Sequence, residues 1–328
     1  MPKTASTTKS NRKSKAGSPK PAKSLAKKAL LRPIKKNTEP LDKKPPKKLP
    51  SVYKLTREAA EFAWRYKEIF FGICLVYGVL NLVLVQGLTT GSNVTELKSE
   101  VKKTFSGHLG SVGTSAGVYI ELLGSAGNGS SNTAGAYQVV LFIVVSLALI
   151  WSLRQIHAGK IIRIRDAYYN GMNQLVPFVL VILVLFAQLI PLIIGGSLYG
   201  ISVNNGVALN LFEKLIFLFI FLGFATWSIY LISATLFGVY IVTLPDMTPL
   251  KAIRSAKALV KKRRLLVIRK IIALPFILIV ASAIVMIPII IVATFLAKWV
   301  FFIITTLMLL AVHSYLYNLY REMLNDQD

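Results

Sequence analysis

The sequence predicts an all-α integral membrane protein with six transmembrane helices, surface amphipathic helices, a disordered basic N-terminal tail and a candidate parallel internal repeat. Three observations predict it. The 328 residues are 54% hydrophobic and only 16% charged. The two kinds are segregated, since twenty of the 39 Lys and Arg precede residue 68 and the apolar residues mostly follow it. The apolar residues come in blocks of about 20, enough to cross a hydrocarbon layer of about 30 Å as helices that satisfy their own backbone.

Residues 1–50 form the first predicted unit. Pieces such as KSLAKKALLRPIKK and LDKKPPKKLP offer almost nothing to bury, so ordering them would be uncompensated. Residues 51–328 form the six-span membrane domain. It opens with SVYKLTREAAEFAWRYKE, where Ser51 can cap a helix and Val52, Leu55, Ala59, Phe62 and Tyr66 recur at helical spacing. That stretch predicts an amphipathic helix at the membrane surface, leading into the first span.

The spans are predicted at about 69–88, 138–156, 174–195, 214–243, 271–293 and 298–318. Only ATFLAKW separates the last two, with Lys298 and Trp299 expected at a hairpin tip. Loop charges set the orientation. The segment 244–270 carries nine Lys and Arg, and Lys160, Arg163 and Arg165 lie in the loop at 157–173. Few cations flank the other ends. The positive-inside pattern then predicts a multi-pass protein of the cell membrane with both termini in the cytoplasm. The loop 89–136 falls outside. It is expected to hold a short helix over 94–105, followed by a flexible segment with eight glycines between 107 and 135.

Two stretches echo each other. LVPFVLVILVLFAQLIP begins at Leu175, and ALPFILIVASAIVMIP begins at Ala273. Each opens near a Pro-Phe pair and ends on a second proline, Pro191 and Pro288. Each follows a basic segment and precedes a returning span. This is the order of a parallel repeat. Kinks at such prolines can frame a cavity between halves, and Gln188, Pro191 and Pro288 are the candidate lining residues.

LPDMTPLKAIRSAKALVKKRRLLVIRK spans Leu244 to Lys270. Thr248 and Pro249 make a good helix start. Ile253, Ala256 and Val260 share one face, expected to dip into lipid. Lys251, Arg254, Lys257, Lys261, Lys262, Arg263 and Arg264 are the candidate contacts to anionic headgroups. The order of returning span, Asp/Pro turn, Ala-Ser-Lys/Arg helix around Ser255 and Pro-bearing span resembles the membrane domain attached to some glycerophosphodiester phosphodiesterases. It is also similar to related multi-span bacterial proteins that stand alone. The resemblance covers roughly residues 140–320. It implies a fold and a bacterial cell membrane. The family's catalytic barrel, with its acidic and histidine residues, is absent from this chain, so the resemblance implies no phosphodiesterase activity.

Candidate chemistry is sparse. Cys74 stands alone in an apolar run. GTSAG, from Gly113 to Gly117, matches a nucleophile pattern that works only on a sharp strand-to-helix turn. The three histidines, His108, His157 and His313, are far apart. His313 is expected to be neutral and hydrogen-bonded near the inner end of the last span. No catalytic residue, cofactor or metal site is predicted, and the chain is read as a non-enzyme. No Asp, Glu, Lys or Arg occupies the middle of a predicted span, which disfavours ion-coupled transport. The leading expectation is a membrane scaffold or lipid-interacting protein that contacts anionic phospholipids. The alternatives are a small-solute or lipid transporter, and a membrane-assembly factor whose tail, residues 1–50, binds ribosomes or nucleic acid.

Overall fold

Residue 50 opens the part of the chain that a computed structural model describes: residues 50–85, 98–99, 111–125, 132–204, 210–261 and 263–325. The predicted tail over 1–49, most of the predicted helix over 94–105, and His108 lie outside these residues. The described part is all-α. Its helices are α1 (Val52–Arg65), α2 (Lys67–Leu84), α3 (Ser111–Ser125), α4 (Asn132–His157), α5 (Ile164–Gly171), α6 (Leu175–Asn204), α7 (Leu211–Thr235), α8 (Gly238–Ile241), α9 (Pro249–Val260), α10 (Arg264–Val292) and α11 (Thr294–Asn325).

Among the described residues, six segments are long and apolar enough to cross a membrane: Lys67–Leu84, Thr133–His157, Ile164–Val203, Leu211–Ile241, Arg264–Val292 and Thr294–Asn325. They fall where the sequence places six spans. The third begins earlier than expected, because α5 runs through a 3-10 turn at Met172–Gln174 directly into α6. Large apolar side chains point away from the bundle. Phe71, Leu183, Phe219 and Ile284 are each more than 60% exposed. In water such a surface would aggregate, whereas in a bilayer it meets acyl chains.

α1 forms as its sequence dictates. Ser51 Oγ accepts from the Lys54 N–H at 3.2 Å, and Leu55 and Ala59 are buried. The chain bends at Tyr66 and continues as α2. The apolar stripe of α1 lies on α11, so protein rather than lipid covers it.

α6 and α7 form the most extensive helix pair, and α4 packs on α2 and α5. Hydrocarbon is as apolar as leucine, so helix association in a membrane rests on close packing and interhelical hydrogen bonds. Two glycines illustrate the close approaches. A Cβ on Gly171 would stand 3.2 Å from the backbone of Leu147 and Ala148 in α4. One on Gly195 would stand 2.9 Å from the Cβ of Phe224 in α7.

Two further expectations are corrected. The glycine-rich segment at 111–125 is the helix α3. Val118, Tyr119 and Leu122 pack beside Met286, Ile290 and Ala297, and this burial outweighs the weak helix propensity of Gly113, Gly117 and Gly124. The Tyr119 hydroxyl is hydrogen-bonded to Ser282 and donates to the Ile279 carbonyl at 3.3 Å, so α3 is joined to the body of α10. The turn between the last two spans is at Ala293, with φ −138° and ψ 65°, and Lys298 and Trp299 lie inside α11. The Ile290 carbonyl, freed where α10 ends, accepts from Thr294 Oγ1 at 2.8 Å and from Lys98 Nζ at 3.0 Å. A cation at a helix C-terminus opposes its dipole.

The echoing prolines are not equivalent in place. Pro177 falls in the first turn of α6, where no helical donor is lost, whereas Pro275 and Pro288 are inside α10. Phe178 is buried, and its counterpart Phe276 is 68% exposed. The order of short helix, proline-bearing helix and returning helix does recur, as α5–α6–α7 and α9–α10–α11.

Candidate functional site

One end of the bundle collects the basic residues, and it is reached by the start of α1, the end of α4, α5, α8, α9, the start of α10 and the end of α11. α9 begins where the sequence predicts. Asp246, at φ 59°, turns the chain, and short polar side chains tolerate this left-handed region best. Thr248 Oγ1 then accepts from the Lys251 N–H at 3.4 Å, with Pro249 in the first turn. Ala252, Ile253, Ala256 and Val260 are buried against α7, α8 and α6. The apolar face is therefore consumed by the bundle and does not dip into lipid, which corrects the predicted cause of its placement.

The opposite face of α9 leaves Lys251, Arg254, Lys257 and Lys261 exposed, and none of these four has a salt-bridge partner among the described residues. The other predicted headgroup contacts are disposed differently. Lys262 lies outside the described residues. Arg263 is the half-buried N-cap of α10. Arg264 turns back to α7: its guanidinium stacks 3.3 Å from the ring centroid of Tyr230, Nη2 donates to the Tyr230 carbonyl, and Nε donates to Ser233 Oγ at 3.3 Å. Arg264 is a helix-to-helix clamp.

Behind α9 the same end is polar and aromatic. Arg154 in α4 donates through Nη1 to the Thr243 carbonyl at 2.5 Å, and through Nη2 to the Tyr240 carbonyl at 3.1 Å and to Thr243 Oγ1. It thus caps the short helix α8. His313 in α11 joins three elements. Its Nδ1 is hydrogen-bonded to the Tyr240 hydroxyl at 3.2 Å, and its Nε2 to Ser146 Oγ at 3.0 Å. Ser146 and Tyr240 are each 1% exposed, so no substrate can approach that serine. The arrangement binds helices together. The rings of Tyr240, Tyr317 and Tyr320 lie 6.2 to 6.3 Å apart around it.

His313, Tyr317 and Tyr320 recur at helical spacing on one face of α11. That spacing is the signal that could have found the cluster. Arg154 and Tyr240 carry no such signal, because they meet only through the tertiary fold.

The predicted cavity residues lie on α6 and α10. Gln188 Nε2 donates to Thr235 Oγ1 at 2.9 Å, and its backbone carbonyl accepts from Ser228 Oγ at 2.7 Å. Both bonds join α6 to α7. Gln188 Oε1 is buried without a partner. Pro191 is inside α6, and Pro288 is exposed on α10. None of the three lines the two open pockets described next. Ser115 is buried inside α3, not on a strand-to-helix turn.

One pocket, of about 440 Å3, opens at the basic end between α4 and α5, lined by Trp151, Gln155, Lys160, Asp166, Asn170 and Asn173 among others. The second, of about 310 Å3, is an apolar groove in the membrane-spanning body where Tyr77, Phe142, Pro275, Thr305 and Leu309 meet. Pro275, unlike the prolines singled out from sequence, lines an opening. Compared with protein-family models, curated proteins and solved structures, the chain matches none.

Proposed function

We propose that this chain is a non-enzymatic, lipid-interacting protein of the cell membrane, with the basic end in the cytoplasm against anionic phospholipid headgroups. The carrying observation is the exposed, unneutralised row of Lys251, Arg254, Lys257 and Lys261 on α9. α9 links two membrane-spanning segments that end at Ile241 and resume at Arg264. Linkers that short hold it at the membrane surface. Each cation near an anionic surface contributes about 1 kcal/mol, and the attraction fades beyond a screening length of roughly 8–10 Å.

The opposite end supports the same orientation. Its described cations are few, Lys98, Lys214 and Lys298, and Lys98 is bonded to a helix terminus. Bias in Lys and Arg sets the side on which loops remain. Return helix, Asp-bearing turn, amphipathic α9 and proline-bearing α10 follow in the order that resembles the membrane domain of glycerophosphodiester phosphodiesterases. A transport reading has less support, since the amide nitrogen and the backbone carbonyl of Gln188 are engaged in joining α6 to α7.

Two measurements test the proposal. In nanodiscs containing phosphatidylglycerol and phosphatidylcholine, the wild-type protein is expected to retain phosphatidylglycerol on extraction, and the K251Q/R254Q/K257Q/K261Q variant to lose that enrichment. Equal retention by the two proteins would remove the lipid role. In a Cys74→Ser background, Lys257→Cys is expected to react with an impermeant maleimide only in opened cells, and Leu211→Cys in intact ones. The reverse pattern inverts the proposed orientation.

A further inference from the structure

The pocket at the basic end differs in chemistry from the cationic row on α9. Trp151 and Gln155, four residues apart, lie on one face of α4. Asp166, Asn170 and Asn173, at intervals of four and three, continue one face through α5 and the 3-10 turn. Gly159, at φ 75°, reverses the chain between the two helices and places Lys160 at the rim. The two helices pack closely at Gly171, and beside that contact their polar residues line an open depression. The depression measures about 440 Å3, within the roughly 300–1,000 Å3 usual for small-molecule sites. The Gln155, Lys160, Asp166, Asn170 and Asn173 side chains make no hydrogen bond or ion pair with another described residue.

We infer that this pocket binds a phosphoethanolamine headgroup, supplied by a phospholipid of the surrounding bilayer. Lys160 is the pocket's cation and Asp166 its anion, so the lining is neutral in sum. A neutral site holding both signs matches a zwitterion and disfavours a purely anionic headgroup, which would meet the Asp166 carboxylate unpaired. Lys160 suits the phosphate, and Asp166 and the amide oxygens of Gln155, Asn170 and Asn173 suit a group with several N–H donors. A primary ammonium has them. A trimethylammonium has none, and it is held by cages of aromatic rings, of which Trp151 supplies one.

The bilayer as source follows from position. α4 and α6 are membrane-spanning helices, and the pocket lies where one leaves the membrane and the other enters. Ile161, in the pocket's wall, is wholly exposed, an arrangement suited to contact with lipid chains. The inference rests on the proposed membrane setting but not on the cations of α9.

The test uses full-length protein in nanodiscs of phosphatidylcholine doped with phosphatidylethanolamine or with phosphatidylglycerol, and native mass spectrometry of retained lipid. Wild type is expected to retain phosphatidylethanolamine over phosphatidylcholine, and Asp166→Asn and Lys160→Gln each to reduce that preference roughly tenfold, as loss of one charge-assisted hydrogen bond implies. Both variants should keep phosphatidylglycerol at α9, which shows that they are folded. The K251Q/R254Q/K257Q/K261Q protein should do the opposite. Undiminished preference in Asp166→Asn and Lys160→Gln, or no preference in wild type, overturns the inference. Soluble glycerophosphoethanolamine raising the melting temperature while the lipid is not retained overturns the bilayer as source.

Discussion

Lys270 Nζ donates to the backbone carbonyl of Pro50, 220 residues away in sequence. Lys270 is 4% exposed and lies in the first part of α10, while Pro50 precedes the N-cap of α1. A buried ammonium therefore fixes the point at which the chain enters the bundle. The carbonyl of the same lysine accepts from the Tyr315 hydroxyl at 3.3 Å, which brings α11 into the junction.

Replacing Lys270 by Met removes the donor and leaves the Pro50 carbonyl in place. Loss of one partner of a buried hydrogen bond costs about 1–3 kcal/mol. Hydrogen exchange at the first turns of α1 should accelerate accordingly in nanodiscs, with little change in α7. Unchanged protection in α1 would sink the assignment of Lys270 as its anchor.

His313 should couple energetically to Tyr240. Interhelical hydrogen bonds in membranes give coupling energies that average about 0.6 kcal/mol and reach about 1.7. In a cycle of His313→Leu, Tyr240→Phe and the double variant, melting in detergent should yield a positive coupling in that range. Strict additivity would mean that the 3.2 Å contact contributes nothing.

Arg264 and Arg254, ten positions apart, offer a contrast. The first is stacked on Tyr230 and hydrogen-bonded to α7, and the second is exposed on α9. Arginine's planar fork cannot be reproduced by an ammonium at a stacked site. Arg264→Lys should lower the melting temperature by several degrees and Arg254→Lys by almost none. Equal shifts would contradict the clamp.

Gly171 and Gly200 should respond oppositely to alanine. At Gly171 the added carbon meets backbone atoms of α4 at 3.2 Å, and backbone cannot rotate aside. At Gly200 nothing lies within 4 Å, and alanine is favoured in a helix interior by about 1 kcal/mol. Thermal unfolding should show Gly171→Ala destabilised and Gly200→Ala neutral or stabilised.

Hydropathy made the six spans legible, because block length and composition determine whether a segment can cross hydrocarbon. The start of α9 was also legible, since Thr248 and Pro249 are local signals. α3 was not, because its stability comes from Tyr119, Val118 and Leu122 meeting α10, a contact between residues 160 and more positions apart. Of the intramembrane hydroxyls, Ser228 joins two helices, whereas Thr226, Thr305 and Thr306 bond to carbonyls of their own helix. Within the site, helical spacing could have united His313, Tyr317 and Tyr320. The pocket between α4 and α5 depended on Gly159 reversing the chain, and its polar residues read in sequence as an ordinary connecting loop.

The turn at Ala293 bears on how the chain is made. With one residue between α10 and α11, there is no hydrophilic tether to carry across before the second helix follows. α10 and α11 are therefore expected to enter the bilayer together, as a hairpin.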